Sequence, residues 1–368
     1  MPDNELWLVP FHFWSVILFI LGCIVGSFLN VCIHRMPRGE SIVHPPSHCP
    51  HCGYHIPWYL NVPLFTWLWL RGRCAHCQAP ISVRYFVVEL LTGIGFLSCW
   101  LGFGRYSIGL ALCYCVLLGG LVVATFIDFE HFIIPDEITV GGIVVGFLLS
   151  FFVPALHHAA NVPASLKQSA LGIGVGAAAL YTVLRLGKLA FGKQQFQLPP
   201  DSKVVFTETT LQLPDQEIPF DELFYRQSDT VVIKAKSVQM AERQWENVAV
   251  KLSPSLLLIG EEPFKPADVP HLEVMTDRVV IPREAMGLGD VKFIAAIGAF
   301  LGWQAVLFCL MLSSVLGAVV GLALIALQRR RWSSRLPYGP YIAAAAVVWM
   351  FGGRLWFALW LARLTTAP

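Results

Sequence analysis

Long apolar runs recur along this chain, several of them near the 18 residues or more that a helix needs to cross the roughly 30 Å hydrocarbon core of a bilayer. They fall at Phe11–Leu29, Phe86–Leu101, Ile108–Ile127, Ile138–Val153, Ala170–Leu186, Val291–Leu301, Ala305–Leu327 and Tyr341–Leu361. Only 14% of residues are charged, against roughly 25% in an ordinary soluble domain, which excludes a conventional soluble enzyme. The net charge of +2 gives no reason to expect a nucleic acid partner. The sequence therefore predicts an all-α polytopic membrane protein with about eight transmembrane helices. The sixth run is short and Gly302 separates it from the seventh, so one broken helix is the competing count.

Lysine and arginine resist translocation and so report orientation. With the amino terminus outside, Arg35, Arg38, Arg71, Arg73, Arg84, Arg185, Lys188, Lys193, Arg329, Arg330, Arg331 and Arg335 fall inside, against Arg105, Lys167 and Arg363 outside. An even number of spans satisfies this bias. The first run reads as a span rather than a signal peptide, because Asp3 and Glu5 precede it where a basic region would stand.

Two hydrophilic stretches interrupt the pattern, both on the cytoplasmic side by this count. The resulting division is a first helix (1–31), a loop domain (32–85), further spans (86–192), an insert (193–286) and a final helical segment (287–368). Within the insert, β-branched segments such as Thr230-Val-Val-Ile-Lys-Ala-Lys and Arg278-Val-Val-Ile, separated by proline breaks, read as a small strand-rich module. It carries no motif with recognisable chemistry.

The loop domain contains Cys49-Pro-His-Cys52 and Cys74-Ala-His-Cys77, close to the spacing at which four thiolates close a tetrahedral zinc site. Gly53 and Gly72 are expected to supply the turns. Disulfides are the alternative, disfavoured by a reducing cytoplasm. Four protein ligands leave no open position for water, so a bound zinc would be structural. His48, His51, His55 and His76 read as exposed or supporting groups.

Outside the insert few carboxylates remain, and one placed at a span end facing the bundle costs enough to be a functional candidate. Asp128 ends the third span in Ile127-Asp-Phe-Glu-His131. Asp290 begins the sixth in Gly287-Leu-Gly-Asp-Val-Lys292. Both ends face the cytoplasm in this topology. Two facing carboxylates sharing a proton can deprotonate water and protonate a carbonyl oxygen, which is aspartic protease chemistry. Gly287 and Gly289 would let backbone approach a substrate, with Lys292 and Glu89 as supporting groups. Asp290 also reads as a helix cap, and Asp136, after Pro135, more so. A zinc-containing scaffold, or a transporter in which Asp128, Glu89 and Asp290 relay protons or hold an ion, is the competing function.

Taken together, Gly26-Ser-Phe-Leu-Asn-Val-Cys-Ile-His-Arg-Met-Pro37, the paired cysteine knuckles, Arg84-Tyr-Phe-Val-Val-Glu-Leu-Leu-Thr-Gly93, Ile127–Asp136, GLGDVK at 287–292 and Leu336-Pro-Tyr-Gly-Pro-Tyr-Ile342 resemble the bacterial type IV prepilin leader peptidases, intramembrane aspartic proteases of the GxGD type. The resemblance implies a bacterial inner-membrane enzyme with Asp128 and Asp290 as the catalytic pair and zinc on the four cysteines. The implied substrate is a type IV prepilin or pseudopilin precursor, cut between its basic leader and its apolar helix. It also implies N-methylation of the new amino terminus with S-adenosylmethionine, for which no Gly-rich fingerprint is present. The insert of about ninety residues departs from that pattern; it would gate or select substrate, recruit a secretion partner, or be neutral decoration. The sequence does not indicate an oligomeric state.

Overall fold

A computed structural model of the chain describes residues 10–191, 193–207, 209–214, 216–224, 230–240, 243–269, 271–282, 287–327 and 336–365. Asp3, Glu5, Arg329, Arg330, Arg331 and Arg335 lie outside the described residues. In chain order the helices are α1 (Phe11–Arg35), α2 (Phe65–Trp69), α3 (Val83–Cys99), α4 (Ile108–His131), α5 (Asp136–Phe152), α6 (Val162–Phe191), α7 (Phe220–Leu223), α8 (Leu288–Leu301), α9 (Trp303–Ala326), α10 (Gly339–Val348) and α11 (Arg354–Thr365). π-helical turns at Trp100–Gly104 and Trp349–Gly353 continue α3 and join α10 to α11. The chain divides into two compact units, one made of 1–182 with 287–368 and the other of 183–286.

The first unit turns the usual arrangement of a soluble protein outward. Val16, Ile20, Ile24 and Phe28 form an exposed stripe at four-residue spacing on α1, and Val315, Val319 and Leu322 continue the pattern on α9. Outward apolar stripes of this length are stable against lipid tails, where the helix has already satisfied its own backbone. Among the described residues, six helices are long and apolar enough to cross a membrane: α1, α3 with its π-turn, α4, α6, α9, and α10 continued into α11. α5 and α8 are apolar but shorter, 17 and 14 residues. α8 is buried from Phe293 to Leu301 on every side, as expected of a helix that is hydrophobic all round and sits inside a bundle.

Small residues allow these helices to approach closely. A methyl group placed on Gly26 of α1 would stand 2.8 Å from the Cα of Glu89 on α3. Gly172 of α6 and Gly298 of α8 meet backbone to backbone in the same way. α8 and α9 are two helices, broken at Gly302, whose φ of 80° is open to glycine and costly for other residues. α6 begins eight residues before the apolar run at Ala170, where the Asn161 side chain caps the Ala164 N–H at 3.0 Å.

The second unit is an eight-stranded antiparallel sheet, β1 (Lys193–Thr207), β2 (Thr210–Leu213), β3 (Gln216–Pro219), β4 (Val231–Met240), β5 (Arg243–Leu252), β6 (Leu257–Ile259), β7 (Glu262–Phe264) and β8 (His271–Pro282). Its order is β3-β2-β1-β8-β4-β5-β6-β7. Alternation along β4 sends Val231, Ile233, Ala235 and Val238 to the core with Val250, Leu272, Val274 and Val279. The first and last strands pair, Lys193 opposite Pro282, so the segment enters and leaves the sheet side by side. The all-α description thus holds for the first unit only. The chain as a whole is mixed, because the β-branched insert builds an extended sheet rather than a loop decoration.

Candidate active site and metal centre

Asp128 lies one turn before the end of α4 and is 5% exposed. Its Oδ2 accepts a 2.8 Å hydrogen bond from the backbone N–H of Gly339, the first residue of α10. A helix N-terminus offers N–H groups with no intrahelical partner, and here one of them is spent on a buried carboxylate. Gly339 is required by that approach: a Cβ there would lie 2.8 Å from Oδ2 and 3.1 Å from the Cδ1 of Ile134.

Asp290 occupies the first turn of α8, and its Oδ2 accepts from the Gly287 N–H at 3.2 Å. Gly287 is therefore the N-cap of α8, and Asp290, which the sequence suggested as the cap, is the third helical residue whose carboxylate reaches back to it. The Asp290 charge acts on Asp128, so the two carboxylates are electrostatic neighbours although 161 residues of sequence separate them. Ile134, 7% exposed in the short link between α4 and α5, packs between the two sides. Its side chain faces Gly339, and its carbonyl oxygen would stand 3.3 Å from a Cβ on Gly289. Gly287 and Gly289 thus serve the start of α8 and its packing on Ile134.

Lys292 donates to Asp136 Oδ1 at 2.7 Å, joining the first turns of α8 and α5. Both side chains are substantially exposed, so the pair orients the helix starts more than it stabilises them. Glu89 is buried, and its Oε2 accepts from the Leu64 N–H at 2.8 Å. It ties the loop that carries the cysteines to α3. Glu130 pairs with Arg84, joining the end of α4 to the start of α3.

The four thiols at 49, 52, 74 and 77 converge, with all sulfur atoms within 4.8 Å of one another. Cys49 Sγ and Cys77 Sγ are 3.8 Å apart, the separation of about 3.8 Å that follows from a tetrahedron with zinc–sulfur bonds of about 2.3 Å. Each knuckle closes alike: Gly53 N–H donates to Cys49 O at 2.9 Å, and Gln78 N–H to Cys74 O at 3.1 Å. Gly53 and Gln78 both have positive φ, 69° and 59°. The turn residue of the second knuckle is therefore Gln78, not Gly72, which instead ends the segment after α2 against the Trp67 ring. Backbone N–H groups of Cys77 and His76 pull the Cys74 thiol down to about 6, towards the thiolate a metal needs. His76 stacks on Tyr54 with ring centres 5.2 Å apart, and His48 Nδ1 approaches Pro46 O, so neither joins the sulfur cluster.

A cavity of about 240 Å³ lies at the other end of α5 and α8, beside His157 and Gly302. Asp290 stands at the start of α8 and Asp128 near the end of α4, whereas this cavity lies at the opposite end of α8.

Gly339 and Ile134 are the residues that sequence reasoning did not single out. Both lay inside quoted motifs, Leu336–Ile342 and Ile127–Asp136, but a backbone donor and an apolar spacer have no chemical signature of their own.

Residues 20–103 match the bacterial peptidase A24 N-terminal domain, and residues 115–194 and 255–322 match the type IV leader peptidase family. Among curated relatives named prepilin leader peptidase/N-methyltransferase, one from Myxococcus xanthus is 51% identical over 139 residues, 38% of this chain and 41% of that protein. One from Dichelobacter nodosus is 35% identical over 224 residues, 53% of this chain and 73% of that protein. One from Aeromonas hydrophila is 28% identical over 372 residues, covering 93% and 92% of the two chains. No solved structure matches.

Proposed function

This chain belongs to the type IV leader peptidase family, and from that premise we propose that it is an intramembrane aspartic endopeptidase which removes the basic leader from type IV prepilin or pseudopilin precursors and then methylates the new amino terminus. The observation that supports this reading is the buried Asp128 carboxylate, held by the Gly339 N–H at the start of α10, with the Asp290 charge at the start of α8 near enough to act on it.

The proposed chemistry follows from that arrangement. One carboxylate takes a proton from water as it attacks the scissile carbonyl, and the other donates a proton to the carbonyl oxygen; the proton then passes to the leaving amine. The Gly339 N–H fixes Asp128 through Oδ2, so Oδ1 is the oxygen that exchanges the proton. The Gly287 N–H fixes the Asp290 carboxylate in the same manner.

Eight spans are proposed, with α5 and α8 completing the six longer ones, the amino terminus outside, and the cysteine loop and the insert cytoplasmic in a bacterial inner membrane. The basic loops support this orientation, and it puts both aspartates at the edge where a basic leader would be retained. Zinc is proposed on Cys49, Cys52, Cys74 and Cys77 as a structural ion holding a loop too small for its own core. S-adenosylmethionine would supply the methyl group. The cavity beside His157 does not fit that donor, since it lies at the opposite helix ends from the aspartates, and no step is assigned through it.

The test is incubation of the full chain in liposomes with a pilin-like precursor, read by mass spectrometry. Release of the leader with one added methyl group on the mature amino terminus is expected. An unprocessed precursor would overturn the peptidase reading, and a cleaved but unmethylated product would overturn the second activity.

A further inference from the structure

The cavity of about 240 Å³ is lined by Arg354, Gln168, Gln304, His158, Trp303 and Trp349, and no carboxylate stands on its wall among the described residues. It is set by two breaks in helical geometry. The π-turn after α10 contains Gly352 at φ 148° and ψ −12°, and α11 starts from it with Arg354 as its first residue. The π-turn after α3 packs on it through Phe103, whose ring lies 5.7 Å from Phe351 and 4.7 Å from Tyr114. π-turns inside apolar helices are rare and concentrate at functional sites.

His157 closes the floor. Its Nε2 donates to Ala299 O at 3.1 Å and lies 2.9 Å from Ser150 Oγ, while Ser169 donates to the same carbonyl at 2.9 Å. Burial pushes His157 down to about 4 and lowers His158 as well, so both rings are neutral near pH 7. Arg354 is then the cation of the wall, and it makes no ion pair among the described residues.

We propose that this cavity holds the phosphodiester of one membrane phospholipid. The guanidinium fork matches two phosphoryl oxygens, and the Gln168 and Gln304 amides can donate to the others. Trp303 and Trp349 supply the amphipathic edges that favour headgroup depth. A single positive charge suits a diester that stays monoanionic, whereas inorganic phosphate is a mixture of mono- and dianion at neutral pH and has no ester arms to reach the tryptophans. The volume is below the roughly 300 Å³ of a small drug-sized pocket, enough for a headgroup fragment. The acyl chains would then lie outside, along exposed Phe351 and Leu355.

The test is native mass spectrometry of the delipidated full chain in detergent, with phosphatidylglycerol, a diacylglycerol of the same acyl chains and inorganic phosphate as probes. One phosphatidylglycerol should be retained per chain, about tenfold more tightly than the diacylglycerol, and Arg354→Gln should lose about tenfold, the scale of one hydrogen bond to a charged group. Arg105→Gln, an arginine whose guanidinium sits over the Phe11 ring 4.6 Å from its centre, should change nothing. Equal retention by Arg354→Gln, equal retention of the diacylglycerol, or displacement of the lipid by inorganic phosphate would overturn the proposal. Should Arg354→Gln fail to fold, Gln168→Leu with Gln304→Leu must lose the lipid and Arg354→Lys must keep part of it; the reverse overturns the proposal equally.

Discussion

The two units of this chain obey opposite rules. In the sheet unit, apolar residues such as Val204, Ile233 and Val274 are buried and the charged ones are outside. In the helical unit, apolar stripes face outward while Asp128, Glu89 and Asn30 are buried. A buried carboxylate in the first setting would have no reason to persist. In the second, each one is held by a backbone N–H: Gly339 for Asp128 and Leu64 for Glu89. The difference indicates where chemistry is stored, because a polar group that costs free energy to bury needs a dedicated partner.

The contrast can be broken by equivalent substitutions on the two sides. Asp128→Asn should lower leader removal by about 10²- to 10⁴-fold, the scale of a lost general acid or base. The matching change in the sheet, Glu273→Gln, should leave it unchanged although it removes the Lys203 ion pair. Comparable losses from both would erase the distinction.

A second effect comes from a residue with no chemistry of its own. Gly339→Ala puts a methyl group 2.8 Å from Asp128 Oδ2 and should cost about 10²-fold through misplacement alone. Its thermal unfolding midpoint, followed in detergent, should stay near wild type. If activity survives, the Gly339 contact is not part of the site.

Metal removal probes a third region. A strong chelator, or Cys49→Ser with Cys74→Ser, should release one metal ion per chain and expose the loop between α1 and α3 to protease, while α4 and α8 stay protected. Retention of the loop's protease resistance without metal would contradict a structural ion.

The smallest effect is expected from the largest deletion. Because Lys193 and Pro282 are paired neighbours, replacing Gln194–Val280 by a short flexible linker should preserve the helical unit and change cleavage of several precursors by less than about threefold, the range of a tolerated loop exchange. A substrate-dependent loss would instead assign the insert a gating or selecting role.

What the sequence made legible was what has a chemical or periodic signature. Four cysteines in two knuckles, carboxylates at apolar run ends and β-branched segments in the insert all correspond to features of the structure. The start of α6 was missed because Ser165, Lys167, Gln168 and Ser169 interrupt its apolar run, although Asn161 before Pro163 was a readable cap. The Gln78 turn was missed because a left-handed residue other than glycine leaves no compositional trace. Gly339 and Ile134 were invisible for a different reason: their roles are a backbone donor and a spacer, and both depend on a juxtaposition that no local pattern encodes.

The central claim is that Asp128 and Asp290 work as one unit. Leader removal measured for Asp128→Asn, Asp290→Asn and the double variant, each with its bound metal counted, tests it directly. Groups that share one step are strongly non-additive, so each single variant should lose activity by about 10²- to 10⁴-fold and the double should fall no lower than the weaker single, with metal content unchanged. Normal processing by either single variant, or a double variant whose loss is the product of the two, would contradict it.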